Sequence, residues 1–133
     1  MNYKPLIIVL GEPYSVFSEI LFKLFKTKIF KKFKRPVILI GSKDLLAKQM
    51  KKLKYYFKIN EIRISDVNKI KSYNKKINII DIKFKFKKVF DKISIKSNNY
   101  IKECFDIAIL LLKKKNVFAM INGPISKKHF LNK

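Results

Sequence analysis

Hydrophobic and polar positions divide this chain into two alternating kinds of segment. The apolar runs 6–10, 37–40 and 117–121 are too short for helices and are typical of strands buried on both faces. Residues 59–64 and 77–82 are further strand candidates, and most runs are followed by a segment with helical spacing. This order predicts one α/β domain over residues 1–133, with a mostly parallel open sheet and helices on both faces.

Three predicted helices carry an apolar stripe at the spacing of one helical face. Ser42 or Asp44 can cap the second helix, and Ser97-Asn98-Asn99 can cap the third. The stripes are Ile20, Leu21, Leu24 and Phe25 in the first helix, Leu45, Leu46, Met50 and Leu53 in the second, and Ile101, Cys104, Phe105, Ala108 and Leu112 in the third.

The connecting segments give weaker signals. Residues 26–35 are a basic connector tethered by Phe30 and Phe33, and residues 65–73 form a turn or short helix. In Lys83–Phe90, Phe84 and Phe86 alternate with Lys83, Lys85 and Lys87, which predicts an extended fourth strand or a separate edge ribbon. Near the end of the chain, Asn116 is a candidate C-cap, and residues 125–131 begin a helix with Pro124 near its first position.

The net charge is the most unusual bulk property. The chain has 32 basic and 9 acidic residues, a formal charge of +23, and its only arginines are Arg35 and Arg63. A functional interpretation is a free-standing module that binds nucleic acid or another polyanion, with Phe84 and Phe86 stacking on bases. The alternative is compositional drift, because lysines are spread along the whole chain and base-reading proteins favour arginine. Phe84 and Phe86 can equally pack on the core.

Catalytic chemistry is sparse in the sequence. The only histidine, His129, and the only cysteine, Cys104, are far apart, so a histidine-rich metal site cannot be built from this chain. We expect His129 to be solvated and Cys104 to be a core residue, although their pairing as base and nucleophile stays open. The single cysteine favours a reducing cytoplasm, and we expect neither a membrane span nor a signal peptide.

Two turns remain as candidate site segments, because each places a glycine where a strand meets a helix. The first is Gly11-Glu12-Pro13, followed by Glu19, and the second is Asn122-Gly123-Pro124, followed by Lys127. Ligands of parallel α/β sheets bind at such strand ends, and glycine permits close backbone approach. A glycine that simply makes a tight turn is the alternative.

Three stretches resemble the 4-hydroxythreonine-4-phosphate dehydrogenase family. The family's first turn usually reads Gly-Asp-Pro-Ala-Gly-Ile-Gly-Pro-Glu, and residues 11–19 here read Gly-Glu-Pro-Tyr-Ser-Val-Phe-Ser-Glu. The second strand with Gly41, followed by Asp44-Leu45-Leu46, is similar in kind and position. A later family strand ends in Thr-Ala-Pro-Ile-x-Lys, where residues 122–127 here read Asn-Gly-Pro-Ile-Ser-Lys.

The resemblance implies the first part of an isocitrate/isopropylmalate dehydrogenase-like fold. It also implies a homodimeric enzyme that oxidises 4-phosphooxy-threonine with NAD on the route to pyridoxal 5′-phosphate (vitamin B6), assisted by a divalent metal. The resemblance places the metal-binding histidines and most substrate and cofactor contacts later than Lys133. We therefore expect an N-terminal portion that lacks catalytic and metal-binding residues, is inactive alone, and needs its missing half or a dimer partner.

The resemblance carries no catalytic residue onto this chain. It implies only that residues of the two turns line the wall of the substrate and cofactor cleft. These residues are Gly11, Glu12, Glu19, Asn122, Gly123 and Lys127. The first turn departs from the family pattern, since Glu12 replaces aspartate and Ser15 and Phe17 replace glycines. Side chains of that size would crowd a close backbone approach.

Overall fold

The protein is represented by a computed structural model that describes residues 3–71 and 74–131. Within these ranges one open sheet is formed by five parallel strands in the order β3-β4-β2-β1-β5. The predicted open parallel sheet is thereby confirmed. The strands are β1 (Leu6–Val9), β2 (Val37–Gly41), β3 (Ile59–Glu61), β4 (Ile77–Asp81) and β5 (Ala119–Asn122).

Helices cover both faces of the sheet, as the alternating pattern predicts. Alternate side chains of β1 point to opposite faces: Ile7 packs in the cluster around α4, and Ile8 packs in the cluster around α1, α2 and α3. The helices are α1 (Phe17–Phe25), α2 (Lys28–Lys32), α3 (Lys43–Lys52), α4 (Asn98–Lys113) and α5 (Lys127–Phe130), with 3-10 helices at Ile64–Lys69 and Ile95–Ser97.

The buried face of α1 differs from the predicted stripe. Leu21 and Phe25 are buried as expected, but Ile20 and Leu24 are 54% and 41% exposed. Phe22 is fully buried instead, with its ring 5.4 Å from the ring of Tyr55. Phe22, rather than Ile20, therefore faces the core, where it packs with Leu21, Phe25 and the aromatic residue Tyr55 that follows α3.

The segment Lys83–Phe90 is neither a strand nor a ribbon, which corrects the sequence prediction. Residues 82–94 form an irregular loop. The last ladder contact of β4 is the Ile82 N–H to the Gly41 carbonyl at 2.8 Å, and the neighbouring strand β2 ends there. The loop therefore has no strand beside it, and Phe84 packs instead on the ring of Tyr100 at 4.8 Å.

Three smaller predictions also need correction. The basic connector contains helix α2, in which Phe30 is buried while Phe33 stays 40% exposed. The left-handed residue after α4 is Lys115, with φ 57°, and Asn116 follows it. Helix α5 begins only at Lys127, so Pro124 precedes it.

Two other local predictions are confirmed. The Ser42 hydroxyl caps α3 by accepting a hydrogen bond from the Leu45 N–H, whereas Asp44 lies inside that helix. The prediction for residues 65–73 is met by the 3-10 helix, except that residues 72–73 lie outside the described ranges.

No helix in residues 3–71 and 74–131 is long and apolar enough to cross a membrane.

Candidate functional site

The two candidate turns lie against each other at the carboxyl end of the sheet. The Glu12 N–H donates to the Pro124 carbonyl at 2.9 Å, and the Gly123 N–H donates to the Val9 carbonyl at 2.7 Å. Gly11 has a φ of +73°, and a Cβ there would come within 2.7 Å of the same Pro124 oxygen. Glycine at position 11 is therefore required both by the backbone conformation and by the contact between the turns.

Side chains of the protein fill the crevice directly above the strand ends. A Cβ at Gly123 would overlap the Leu10 carbonyl and meet the Phe17 ring, so Phe17 lies directly against this glycine. The hydroxyl of Tyr100 and the side chain of Leu10 occupy the equivalent space at Gly41. The remaining enclosed space is about 20 Å³, which is room for one water rather than for a ligand.

Glu12 is buried beneath this contact and is engaged within the protein. Its side chain is 4% exposed, and the Ser97 hydroxyl donates to its two oxygens at 3.0 and 3.3 Å. Burial raises the pKa of the Glu12 carboxyl, while the Ser97 hydrogen bond, the charge of His129 and the Tyr14 N–H act in the opposite direction. Ser97 was predicted to cap α4, but its hydroxyl makes no cap and instead ties the start of that helix to the first turn.

The other predicted site residues are more open to solvent. Asn122 is exposed, and its side-chain amide donates to the Gly123 carbonyl at 3.1 Å. Lys127 is exposed at the first position of α5. Glu19 lies on α1 in an ion pair with Lys23 at 3.6 Å. The structure thus brings Gly11, Glu12 and Gly123 into one contact, and Asn122 borders it.

Cys104 and His129 do not form a nucleophile–base pair with a reactive thiolate. Cys104 is fully buried in α4, and burial raises the pKa of its thiol to about 12, so the thiolate is not formed at neutral pH. The Nδ1 atom of His129 lies 2.7 Å from the Ser126 hydroxyl. Among the described residues, no three His, Cys, Asp or Glu side chains are grouped closely enough to hold a metal ion.

An open cleft lies beside the turns, and sequence reasoning did not find it. Its walls are Tyr14 after the first turn, the irregular loop from Phe84, and the 3-10 helix Ile95–Ser97, and its volume is about 460 Å³. Gln49 of α3 is 2% exposed and donates to the Pro13 carbonyl at 2.9 Å and the Val89 carbonyl at 3.0 Å, so one amide joins both walls. The sequence did contain one signal of this contact. Gln49 is a polar residue four positions after Leu45, on the helix face predicted to be apolar, and a polar side chain there needs a hydrogen-bond partner.

A family comparison places the chain among known proteins. A statistical model of the family described as pyridoxal phosphate biosynthetic protein PdxA matches residues 32–133. The chain belongs to that family. The resemblance noted from the motifs is thereby confirmed. No curated protein sequence matches the chain.

Solved structures agree with the family assignment at the level of the fold. Three of them superpose with a TM-score of 0.77 each. They are a protein assigned as a 4-hydroxythreonine-4-phosphate dehydrogenase from Salmonella typhimurium (19% identity, 95% of this chain, 38% of that chain), and 4-hydroxythreonine-4-phosphate dehydrogenases from Burkholderia phymatum (16%, 98%, 41%) and Klebsiella pneumoniae (17%, 94%, 38%). This member of the PdxA family thus spans about two fifths of the length of these relatives.

The family match begins after the segment that departs most from the family pattern. The first turn and α1 precede residue 32, where the matched region starts. Phe17 stands where the resembling motif has glycine, and its ring covers Gly123. In this family member the strand-end crevice is therefore occupied by a side chain of the chain itself.

Proposed function

We propose that this chain is the N-terminal portion of a 4-hydroxythreonine-4-phosphate dehydrogenase and is inactive by itself. The reaction of the whole enzyme would be the NAD-dependent oxidation of 4-phosphooxy-threonine in pyridoxal 5′-phosphate biosynthesis. The observation that carries this proposal is the family match over residues 32–133. The 38–41% coverage of the solved dehydrogenases supports the view that this is one part of the enzyme.

The divalent metal implied by the family does not fit the residues described here. A catalytic metal needs several convergent carboxylate, imidazole or thiolate ligands, and the described ranges contain no such group. Glu12, the most buried carboxylate of the turns, already accepts hydrogen bonds from Ser97. We propose that the metal ligands belong to the remainder of the enzyme.

The NAD implied by the family does not fit the strand-end crevice. Phe17, Leu10 and Tyr100 leave about 20 Å³ there, far below the roughly 300 Å³ of a small ligand pocket. No glycine-rich dinucleotide motif follows a strand in the sequence. We propose that the cofactor contacts, like the metal ligands, come from elsewhere in the enzyme.

The contribution of this chain would be a rigid wall of the active-site cleft. Gly11 and Gly123 hold the two turns together, and Glu12 fixes them to α4. Asn122, Lys127 and Glu19 present polar groups near these turns and along α1. We propose that the remainder of the enzyme completes the cleft against this wall.

An exposed apolar edge supports the need for a partner. Strand β5 is at one edge of the sheet, and its Ile121 and the preceding Phe118 are 48% and 61% exposed. An unpaired edge with exposed apolar side chains readily accepts another strand. We propose that the missing half of the enzyme, or a second subunit of a cytoplasmic homodimer, covers this edge.

The coding sequence gives a direct test of this proposal. Translation beyond the codon for Lys133 in all three frames should reveal a Gly-His-Thr-Glu motif and later histidine motifs. If they are present, co-expression of both parts should yield a dehydrogenase that neither part forms alone. If no such motifs occur there or in a separate gene, the enzyme assignment fails.

A further inference from the structure

The cleft between the first turn and the irregular loop has the size of a small-molecule site. Its volume of about 460 Å³ lies within the range of roughly 300–1,000 Å³ that is usual for ligand pockets. Long loops without regular structure in a compact domain are usually functional or disordered, and this loop is tied down. The cleft therefore needs an explanation apart from the filled crevice beside it.

The walls of the cleft are strongly cationic. Lys85, Lys87, Lys92 and Lys96 line it, against the single carboxylate of Asp91. That carboxylate accepts a hydrogen bond from the Lys92 backbone N–H at 2.8 Å. None of the ion pairs in the described part of the chain involves the four lysines. A concave surface lined by one sign of charge concentrates ligands of the opposite sign.

Aromatic rings form the rest of the wall. Tyr14, Phe84 and Phe86 line the cleft. The Phe84 ring lies 6.0 Å from Tyr14 in an edge-on arrangement and 6.3 Å from Phe86 at an angle of 18°. Phe86 is half-buried, and the Lys48 ammonium lies over its ring at 5.1 Å from the centroid, so a planar ligand would contact its remaining exposed part. Half-exposed aromatic rings among cations suit a ligand with both a planar ring and an anionic group.

The two walls are held in place by hydrogen bonds at several points. The Gln49 amide joins Pro13 to Val89, and the Tyr14 hydroxyl donates to the Lys88 carbonyl at 3.2 Å. Ser97, which also lines the cleft, donates a hydrogen bond to Glu12 at 3.0 Å. A cleft with fixed walls loses less conformational entropy when it binds a ligand.

We propose that this cleft binds a small molecule that carries a phosphate group beside an aromatic ring. The lysines hold the phosphate and the phenylalanines pack on the ring. A mononucleotide and a phosphorylated pyridine share this chemistry. The site is built from residues of this chain alone, so it depends neither on the dehydrogenase assignment nor on the missing half of the enzyme.

Titration calorimetry of the chain tests the proposal with separate probes for each part of the ligand. AMP and pyridoxine 5′-phosphate represent the two sources, and adenosine and inorganic phosphate carry only one half of the chemistry. At least one of the two ring phosphates should bind about tenfold or more tightly than adenosine and inorganic phosphate. The compound that binds more tightly shows whether the natural ligand is a mononucleotide or a phosphorylated pyridine. If neither binds, the proposal fails.

Variants locate the binding within the chain. The double change Lys85→Ala and Lys87→Ala should weaken the ring phosphate about tenfold or more, and Phe86→Ala should weaken it without changing the binding of inorganic phosphate. The control Lys28→Ala with Lys31→Ala removes two lysines from α2 and should leave the affinity unchanged. Equal weakening by the control would mean that binding follows the net charge, and would overturn the site.

A nucleic-acid interface is the competing result. A single-stranded oligonucleotide that binds far more tightly than AMP, with an affinity that falls steeply with salt, would assign the surface to a polymer and overturn the small-molecule site. The changed residues are exposed or half-buried, so we expect all variants to keep the melting temperature of the native chain. With folding unchanged, a loss of affinity reflects a loss of contacts in the cleft.

Discussion

The Ser97 hydroxyl donates a hydrogen bond to the buried Glu12 carboxylate at 3.0 Å, across 85 residues of sequence. This contact joins the turn after β1 to the beginning of α4. It places a group that is normally charged in a position with 4% exposure. The stability of the chain should therefore depend on the protonation of this single carboxyl.

Replacement of Glu12 by glutamine should remove a pH-dependent contribution to stability. Burial raises the pKa of Glu12 above its ordinary value of 4.5, so the folded state binds the proton more tightly than the unfolded state. The contribution of Glu12 is greatest below pH 4.5 and is lost as pH rises through the raised pKa. Relative to the native chain, Glu12→Gln should gain stability between pH 4 and pH 7, as measured by urea unfolding.

The exposed carboxylate of Glu19 provides the control for this comparison. Glu19→Gln removes a negative charge from a surface ion pair and should change the free energy of unfolding by less than about 1 kcal/mol. A constant difference between Glu12→Gln and the native chain at pH 4 and pH 7 would show that burial does not govern this carboxyl.

Gln49→Met should loosen the irregular loop. The change removes both hydrogen bonds to the Pro13 and Val89 carbonyls while keeping the length of the side chain. We expect a loss of about 2 kcal/mol in the free energy of unfolding, because two carbonyls lose their donor. Trypsin should also cleave the lysine-rich loop faster in the variant. The control Lys51→Met, on the exposed side of the same helix, should show neither effect. If trypsin cleaves both variants as slowly as the native chain, the two Gln49 hydrogen bonds do not hold the loop in place.

Gly123→Ala should be much more damaging than Gly41→Ala. At Gly123 the new methyl group would overlap a backbone oxygen, that of Leu10, which cannot move without shifting β1. At Gly41 the nearest atoms belong to the side chains of Leu10 and Tyr100, and the closest of them is a terminal methyl carbon of Leu10 that can change rotamer. Overpacking of this kind costs about 1–3 kcal/mol, and we expect Gly123→Ala at the upper end of that range. Equal urea midpoints for the two variants would contradict the close contact of the turns.

The exposed β5 edge should cause self-association of the isolated chain despite its charge. Ile121→Lys places a charge on this edge and should shift the chain toward monomer in sedimentation velocity experiments. The matched control is Ile29→Lys on α2, which adds the same charge at a residue that is 81% exposed and away from the sheet edge. If Ile29→Lys disperses the chain equally well, repulsion through net charge is the cause and the edge is not the interface.

The sequence predicted the sheet well because three strands lie in short, nearly unbroken apolar runs and the other two, β3 and β4, lie in short β-branched segments with a strand-like pattern. It failed where tertiary contacts outweigh local pattern. The alternation at the start of Lys83–Phe90 is that of a strand, but β2 ends at Gly41 and leaves no neighbour to pair with. On α1, Ser18, Leu21, Phe22 and Phe25 are the buried residues, so the buried face keeps the helical period but is rotated from the stripe that contains Ile20 and Leu24.

The candidate site was predictable only in part. Glycines at strand ends pointed to both turns, since few other residues tolerate such geometry. That the turns touch each other, that Phe17 fills the crevice, and that Gln49 joins two distant carbonyls all depend on sheet order, which local patterns do not encode. Roles of Glu12, Glu19, Asn122 and Lys127 in ligand binding remain predictions.

The central proposal is that residues 1–133 form the N-terminal portion of a PdxA family enzyme and have no dehydrogenase activity without the rest of it. The most direct measurement is NADH formation, followed by absorbance, from 4-phosphooxy-threonine and NAD with the purified chain and added divalent metal, beside the Klebsiella pneumoniae dehydrogenase as a positive control. We predict no turnover by this chain under conditions in which the control is active. Reproducible NADH formation that scales with the concentration of the chain would contradict the account.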